Sequence, residues 1–158
     1  MHARDRMMFR DRKDAGERLA ALLLHLKDRN PVVLALPRGG VAIGSEIARR
    51  IGAPLDIVLV RKIGVPWRPE LALGALADCG RGPPEIFIDE QMVNRLEISP
   101  DYVREETARQ MAELERRRRI YCAGRPPVEI AGRTAIVVDD GIATGATMRV
   151  ALRAVRRR

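Results

Sequence analysis

Hydrophobic positions along this chain fall into two rhythms. Residues 32–36, 55–60 and 135–138 are short apolar runs, rich in valine, leucine and isoleucine and without alternation, the pattern of strands buried on both faces of a parallel sheet. Helical spacing appears between them. Leu19, Leu22, Leu23 and Leu26 share one stripe, with Asp14 as the expected cap and Glu17 three residues on, which predicts a packing helix. Ile43, Ile47 and Ile51 recur at every fourth position, so a second helix follows the first strand. Asn30-Pro31 and Gly52-Ala53-Pro54 punctuate these segments.

Residues 71–77 and 85–89 read as two further short strands divided by the turn-rich D-C-G-R-G-P-P, a hairpin or flap whose direction the pattern leaves open. Residues 89–96 predict a short helix. Ser99-Pro100 then opens a long one, with serine as cap and proline at the first helical position. Gly124-Arg125-Pro126-Pro127 breaks it, Gly132 turns into the strand at 135–138, and a last helix runs from Thr147 to Arg158. Strands alternating with helices predict an α/β fold with a parallel sheet.

The 158 residues suit a single domain spanning 1–158, with 1–13 as an N-terminal extension to which no chemistry is assigned. Cys79 and Cys122 are too few for a disulfide scaffold and lack metal-ligand spacing, so they read as reduced thiols in a cytoplasmic protein. The start lacks the apolar segment of a secretory signal, and no uncharged apolar run reaches membrane-spanning length, so no membrane is expected. A net charge of +8 would favour nucleic acid or polyanionic small molecules alike. With only 3% aromatic residues there are few surfaces on which bases could stack, which makes specific nucleic-acid readout the weaker reading. Glu105–Arg109, Glu113–Arg117 and Glu115–Arg119 are acid-before-base pairs four apart, and Arg116 to Arg119 suit the negative end of a helix dipole. That face is expected to be solvated and self-paired.

Candidate chemistry concentrates in residues 135–147, A-I-V-V-D-D-G-I-A-T-G-A-T. Asp139 and Asp140 stand where the strand would end, and a loop of small and hydroxyl residues follows before a helix. Carboxylates accept hydrogen bonds from sugar hydroxyls, while such a loop can turn backbone N–H groups toward phosphate. A sugar phosphate satisfies both; an ordinary acidic turn at a helix start is the plain alternative. P-R-G-G after the first strand is a second anion candidate: Gly39 and Gly40 permit unusual backbone dihedrals, and Arg38 adds a fork of donors. It is not a P-loop, because Ser45 stands where the phosphate-binding lysine belongs. Arg61-Lys62 is expected at the end of the second strand. Arg38, Arg61, Lys62, Asp139 and Asp140 would then converge outside the carboxyl ends of one sheet, where open α/β sheets bind ligands. Residues 64–70, G-V-P-W-R-P-E, read as a loop able to close over substrate. Its Trp67 would stack on a base or pin the loop, and its only carboxylate, Glu70, is a candidate proton-handling group. His25 lies at a helix flank and is given no role.

The hydrophobic strand, two acids, two residues and T-G-x-T resemble the phosphoribosyl-diphosphate (PRPP) motif of type I phosphoribosyltransferases. The resemblance implies that Asp139 and Asp140 hold the ribose 2- and 3-hydroxyls and that Gly141 and the loop of Ala143, Thr144, Gly145, Ala146 and Thr147 surround the 5-phosphate. It makes P-R-G-G the pyrophosphate loop, with Arg38, Gly39 and Gly40 as diphosphate contacts. Arg61-Lys62 resembles the R-K segment of adenine-type members, so Arg61, Lys62, Asp139, Asp140 and Glu70 form the candidate catalytic set. The implied fold is a doubly wound parallel sheet with a flexible loop and flap after the second strand. Such a sheet normally returns through the last helix to another strand, so C-terminal strands are expected to be missing.

The implied reaction moves ribose 5-phosphate from PRPP to a nitrogenous base and releases diphosphate. Mg²⁺ is expected through PRPP rather than in a protein cage, with Asp139 or Asp140 as the candidate protein ligand. Where 6-oxopurine members carry an acid, this chain has Ala143, which disfavours hypoxanthine or guanine and leaves the acceptor open. A PRPP-binding regulator or RNA-binding protein without transfer activity is the alternative, and a homodimer is the candidate assembly.

Overall fold

The computed structural model describes residues 8–158. It divides into two compact units: one holds the chain up to Ile57 together with Ile130–Ala143, the other Val58–Glu129 together with Thr144–Arg158. The α/β class and the parallel sheet expected from the strand pattern are both present.

The first unit is built on a parallel sheet of β1 (Pro31–Ala35), β2 (Leu55–Ile57) and β6 (Thr134–Val138) in the order β2-β1-β6. Val33 pairs with Leu55 on one side and Ile136 on the other, and every residue of β1 is buried. The expectation that residues 135–138 are buried on both faces does not hold. In β6 only Val138 is buried, because β6 lies at the margin of this three-stranded sheet rather than at its centre. Helix α2 (Gly39–Ile51) packs on the sheet through Ile43, Ile47 and Ile51, all at most 4% exposed. Full burial of one such side chain is worth about 1.5–3 kcal/mol. The helix ends at Gly52, whose φ of +68° is the left-handed stop glycine accepts readily.

Helix α1 (Arg12–Leu23) differs from its sequence reading in two ways. Its cap is Asp11, whose carboxylate accepts the Asp14 N–H at 2.8 Å, while Asp14 lies inside the first turn and is itself buried. Its buried side is made of Ala15, Gly16 and Ala20; Leu19 and Leu23 of the expected stripe pack partly buried against the same core, whereas Leu22 is 72% exposed. The reason is close approach. A Cβ on Gly16 would come within 2.6 Å of the Glu46 Cβ and 2.9 Å of the Ile43 carbonyl, so small residues let α1 sit directly on α2.

The second unit is an antiparallel sheet, β3 (Leu59–Val65), β4 (Arg68–Asp78) and β5 (Glu85–Ile88), in chain order. The single strand expected over residues 55–60 is therefore two, separated at Val58. Apolar content continues through the break because Val58 and Leu59 are both buried; the change of pairing partner leaves no mark in hydrophobicity. Arg61 and Lys62 consequently lie inside β3, opposite Leu76 and Ala75, rather than at a strand end. Residues 64–70 form the tip of the β3–β4 hairpin instead of a long loop, with Pro66-Trp67 as the turn. A Cβ on Gly64 would meet the Pro69 carbonyl at 2.6 Å, and the register shifts there. The hairpin pairing of residues 71–77 with 85–89 is as expected, and antiparallel.

Helix α3 (Glu90–Arg95) is capped by Asp89, which accepts the Met92 N–H at 2.9 Å. Ser99 caps α4 (Pro100–Cys122), and α5 (Ala146–Arg156) closes the chain. Leu114 of α4 and Ile63, Leu73 and Leu76 of the sheet are fully buried. Among the described residues, no helix is long and apolar enough to cross a membrane.

Candidate functional site

In the first unit the chain brings together Arg38, Gly39, Gly40, Asp139 and Asp140. The cause is the register of β1 with β6: Ala35 pairs with Val138, and the Leu36 N–H donates to the Val138 carbonyl at 2.8 Å, so the P-R-G-G turn and the two acids leave the sheet side by side. The Pro37–Arg38 peptide is cis. A Cβ on Gly39 would overlap the Asp140 carboxylate, and one on Gly40 would come within 2.5 Å of the Val138 carbonyl and 3.0 Å of the Asp139 Cα. Neither glycine has a positive φ. The expectation of unusual dihedrals is thus replaced by another need for glycine, which is room.

Both residues begin α2, with Arg38 as its exposed N-cap. The Gly40 N–H is used by the Leu36 carbonyl at 3.0 Å, and the Val41 N–H by the Arg38 carbonyl at 3.2 Å. The loop is therefore a glycine-walled seat for Asp140 at the positive end of a helix.

The two acids have opposite electrostatics. Burial raises Asp139 above the usual carboxylate range, even though its Oδ1 accepts the Asp140 N–H at 2.8 Å. Asp140 is held below that range by the Arg12 guanidinium, whose Nε and Nη2 donate to one oxygen, Oδ2, at 3.0 and 2.6 Å. Sequence reasoning assigned Arg12 no role, since nothing in the local pattern of the first turn of α1 points toward a residue so far along the chain. Gly141 and Ala143 follow as exposed positions, with Ile142 exposed between them. Asp139 and Asp140 are the carboxylates that could serve a cation here. Among the described residues there is no group of three or more His, Cys, Asp or Glu able to hold a metal.

The remaining expected site residues belong to the second unit. Thr144 and Gly145 lead into α5, Gly145 serving as its N-cap at a φ of +75°. Thr144 Oγ1 accepts the Ala146 N–H at 3.4 Å, and the Gly145 carbonyl accepts the Arg149 N–H at 2.9 Å. Lys62, Ala146 and Thr147 line a cavity of about 590 Å³ floored by Leu73, Phe87 and Val150. On a second cavity of about 380 Å³, Lys62 and Thr147 are joined by Arg61, Arg109 and Gln110.

Arg61 Nε donates to Gln110 Oε1 at 2.9 Å, and Gln110 Nε2 donates to Glu106 Oε1 at 2.7 Å. Burial lowers Arg61 from its ordinary value. This relay lies on a part of α4 outside the pairs read as its solvated face, although Arg109, expected to pair with Glu105, turns to Glu106. Glu106 is 6% exposed and also pairs with Arg109. Arg118, within the expected dipole cluster, instead reaches Asp78 at 2.7 Å. Glu113 does pair with Arg117 at 2.8 Å as expected. Glu70 is exposed on β4 and pairs with Arg68 at 3.1 Å, and Trp67 is 67% exposed at the hairpin turn.

A family model described as a phosphoribosyl transferase domain matches residues 88–158. Two Mycobacterium tuberculosis proteins provisionally named phosphoribosyl transferase, MT0597 of strain CDC 1551 and Rv0571c of strain H37Rv, are each 41% identical over 149 residues. The match takes in 94% of this chain and 33% of each of theirs, so the chain spans about a third of the length of these curated relatives. The crystal structure of TT1426 from Thermus thermophilus superposes with a TM-score of 0.77 at 44% identity, over 96% of this chain and 70% of that one. The α/β fold with its parallel sheet, the homologues and the family model over residues 88–158 agree in supporting the type I phosphoribosyltransferase family for this chain.

Proposed function

We propose that this chain binds PRPP and transfers its ribose 5-phosphate to a nitrogenous base with release of diphosphate, in nucleotide metabolism. The observation that carries the reading is the packing of Gly39 and Gly40 against Asp140 and Asp139. It sets a cationic, glycine-walled turn beside two carboxylates with no room for a side chain between them. Diphosphate suits the first and ribose hydroxyls the second.

In this reading Asp139 and Asp140 accept hydrogen bonds from the 2- and 3-hydroxyls of ribose, which orients the sugar carbon that is attacked. Arg38 carries the positive charge that diphosphate needs as it departs, because charge developing on the leaving group is best met by donors already in place. Thr144 to Thr147, at the start of α5, supply hydroxyl and backbone donors for the 5-phosphate. Arg61 and Lys62 add cationic charge, Arg61 being held in one orientation by Gln110. The two adjacent carboxylates fit Mg²⁺ carried largely by substrate oxygens, since magnesium favours one or two carboxylates plus phosphates. When bound, Mg²⁺ would neutralise charge on the diphosphate. Ala143 offers no proton acceptor to a 6-oxopurine, so the acceptor is sought among other bases.

Calorimetric titration with PRPP and Mg²⁺ tests the donor. Asp139→Asn and Asp140→Asn are expected to weaken binding, and wild-type protein that fails to bind, like these variants, would end the proposal. Diphosphate release measured over a panel of nucleobases then tests transfer: release with at least one base is expected, and binding without release from any base points to a regulator.

A further inference from the structure

We propose that Arg12 is a positioning residue for the sugar-phosphate site, holding the Asp140 carboxylate in place against the start of α2. The inference rests on the reading of Asp140 as a ribose ligand and adds to it a residue from the far end of the chain.

Arg12 and Asp140 are 128 residues apart, yet two guanidinium nitrogens converge on one carboxylate oxygen. The turn that presents Arg12 is firmly built. Asp11 caps it, and buried Asp14 accepts the Arg10 N–H at 3.0 Å and pairs with Arg10 at 3.2 Å and Arg18 at 3.0 Å. Gly16, one turn on, allows α1 to lie directly on α2, the helix that begins at Gly39. The guanidinium is thus delivered by a helix whose position is set by the same element that walls Asp140.

Stability does not account for the contact. The two side chains are 60% and 33% exposed, and ion pairs so open to water add little to folding. Orientation does account for it. A carboxylate at a strand end turns freely about its side-chain bonds, and a forked donor on one oxygen removes that freedom and leaves the other oxygen with a defined direction.

A double-mutant cycle on the full chain decides the matter, with PRPP and Mg²⁺ titrated calorimetrically into wild type, R12A, R12K, D140N and the R12A/D140N double variant. R12A is expected to weaken PRPP binding on the order of tenfold, as coupled neighbours do. R12K should recover part of the loss, and R12A should cost nothing further in the D140N background. Thermal melts of each variant separate loss of binding from loss of fold, and R12K carries the cycle if R12A does not fold. R12A binding like wild type, or more tightly, overturns the inference. So does an equal loss in both backgrounds, which would make Arg12 a direct ligand contact. Wild-type binding with an unaffected D140N removes the ribose reading and the inference together, whereas a weakened D140N beside an unaffected R12A removes the inference alone.

Discussion

Asp139 and Asp140 are consecutive residues joined by a hydrogen bond from the backbone of one to the carboxylate of the other, and their carboxyl groups are shifted in opposite directions. Burial raises the first; the Arg12 guanidinium lowers the second. As pH falls, Asp139 takes up a proton before Asp140. Ribose hydroxyls donate most strongly to an ionised carboxylate, so PRPP affinity is expected to fall as pH drops through the raised value of Asp139. A pH series of calorimetric titrations, with carboxyl ¹³C shifts followed in parallel, checks the order.

The same shifts act oppositely on folding. Stability from Asp140 is present above the ordinary value of 3.8 and lost as pH falls through its lowered value. The contribution of Asp139 is complete below 3.8 and lost as pH rises through its raised value. Glu113, held down to about 2 by hydrogen bonds from Arg116 and Arg117, behaves as Asp140 does, its contribution fading between the ordinary 4.5 and that value. Urea midpoints measured across acid pH for wild type and Glu113→Gln would show the two curves converging in this window.

Gly39 and Gly40 are expected to fail differently when replaced by alanine. The added methyl at Gly39 meets a side-chain carboxylate that can swing aside, so Gly39→Ala should keep most of its stability while displacing Asp140 and weakening PRPP binding. At Gly40 the methyl meets the Val138 carbonyl and the Asp139 Cα, which cannot move without the strand. Gly40→Ala should cost about 1–3 kcal/mol of stability, the usual range for overpacking. Denaturant melts beside titrations of both variants separate the two effects.

Asp78 and Arg118 form a pair of 10% and 18% exposed side chains, and Arg118 Nη2 also donates to the Asp78 carbonyl at 2.8 Å. Asp78→Ala leaves a guanidinium in a site built for its partner, so a loss of about 3 kcal/mol is expected. Glu70→Ala, which removes the exposed partner of Arg68, should change stability by less than about 1 kcal/mol. Urea unfolding of the two variants makes the comparison directly.

Gln110 joins Arg61 to buried Glu106. Gln110→Ala should release Arg61 and, if Arg61 meets diphosphate, lower the transfer rate more than it raises the KM for PRPP. Gln110→Glu keeps an acceptor for Arg61 but sets a second carboxylate against buried Glu106, so it should lose stability that Gln110→Ala keeps. Steady-state kinetics of Gln110→Ala and urea unfolding of both variants give the answer.

Much of this protein was determined locally. Periodicity located α2 through its isoleucines, the capping signal of Ser99 marked α4, and the apolar run ending in Asp139-Asp140 marked β6, because each depends on residues within a turn or two of one another. Tertiary structure decided the rest. Whether residues 55–60 are one strand or two depends on which sheet pairs with each half, and hydrogen-bonded partners leave no periodic trace. Gly39 and Gly40 read as residues wanting special dihedrals, yet only the approach of Asp140 and Val138 shows that they are there to leave space. Arg12 stood in a segment given no chemistry, and Glu106 on a helix of which only the paired face was read. Their contacts arise because one chain, once folded, sets a first-turn arginine beside an aspartate 128 residues away and buries an acid next to Gln110.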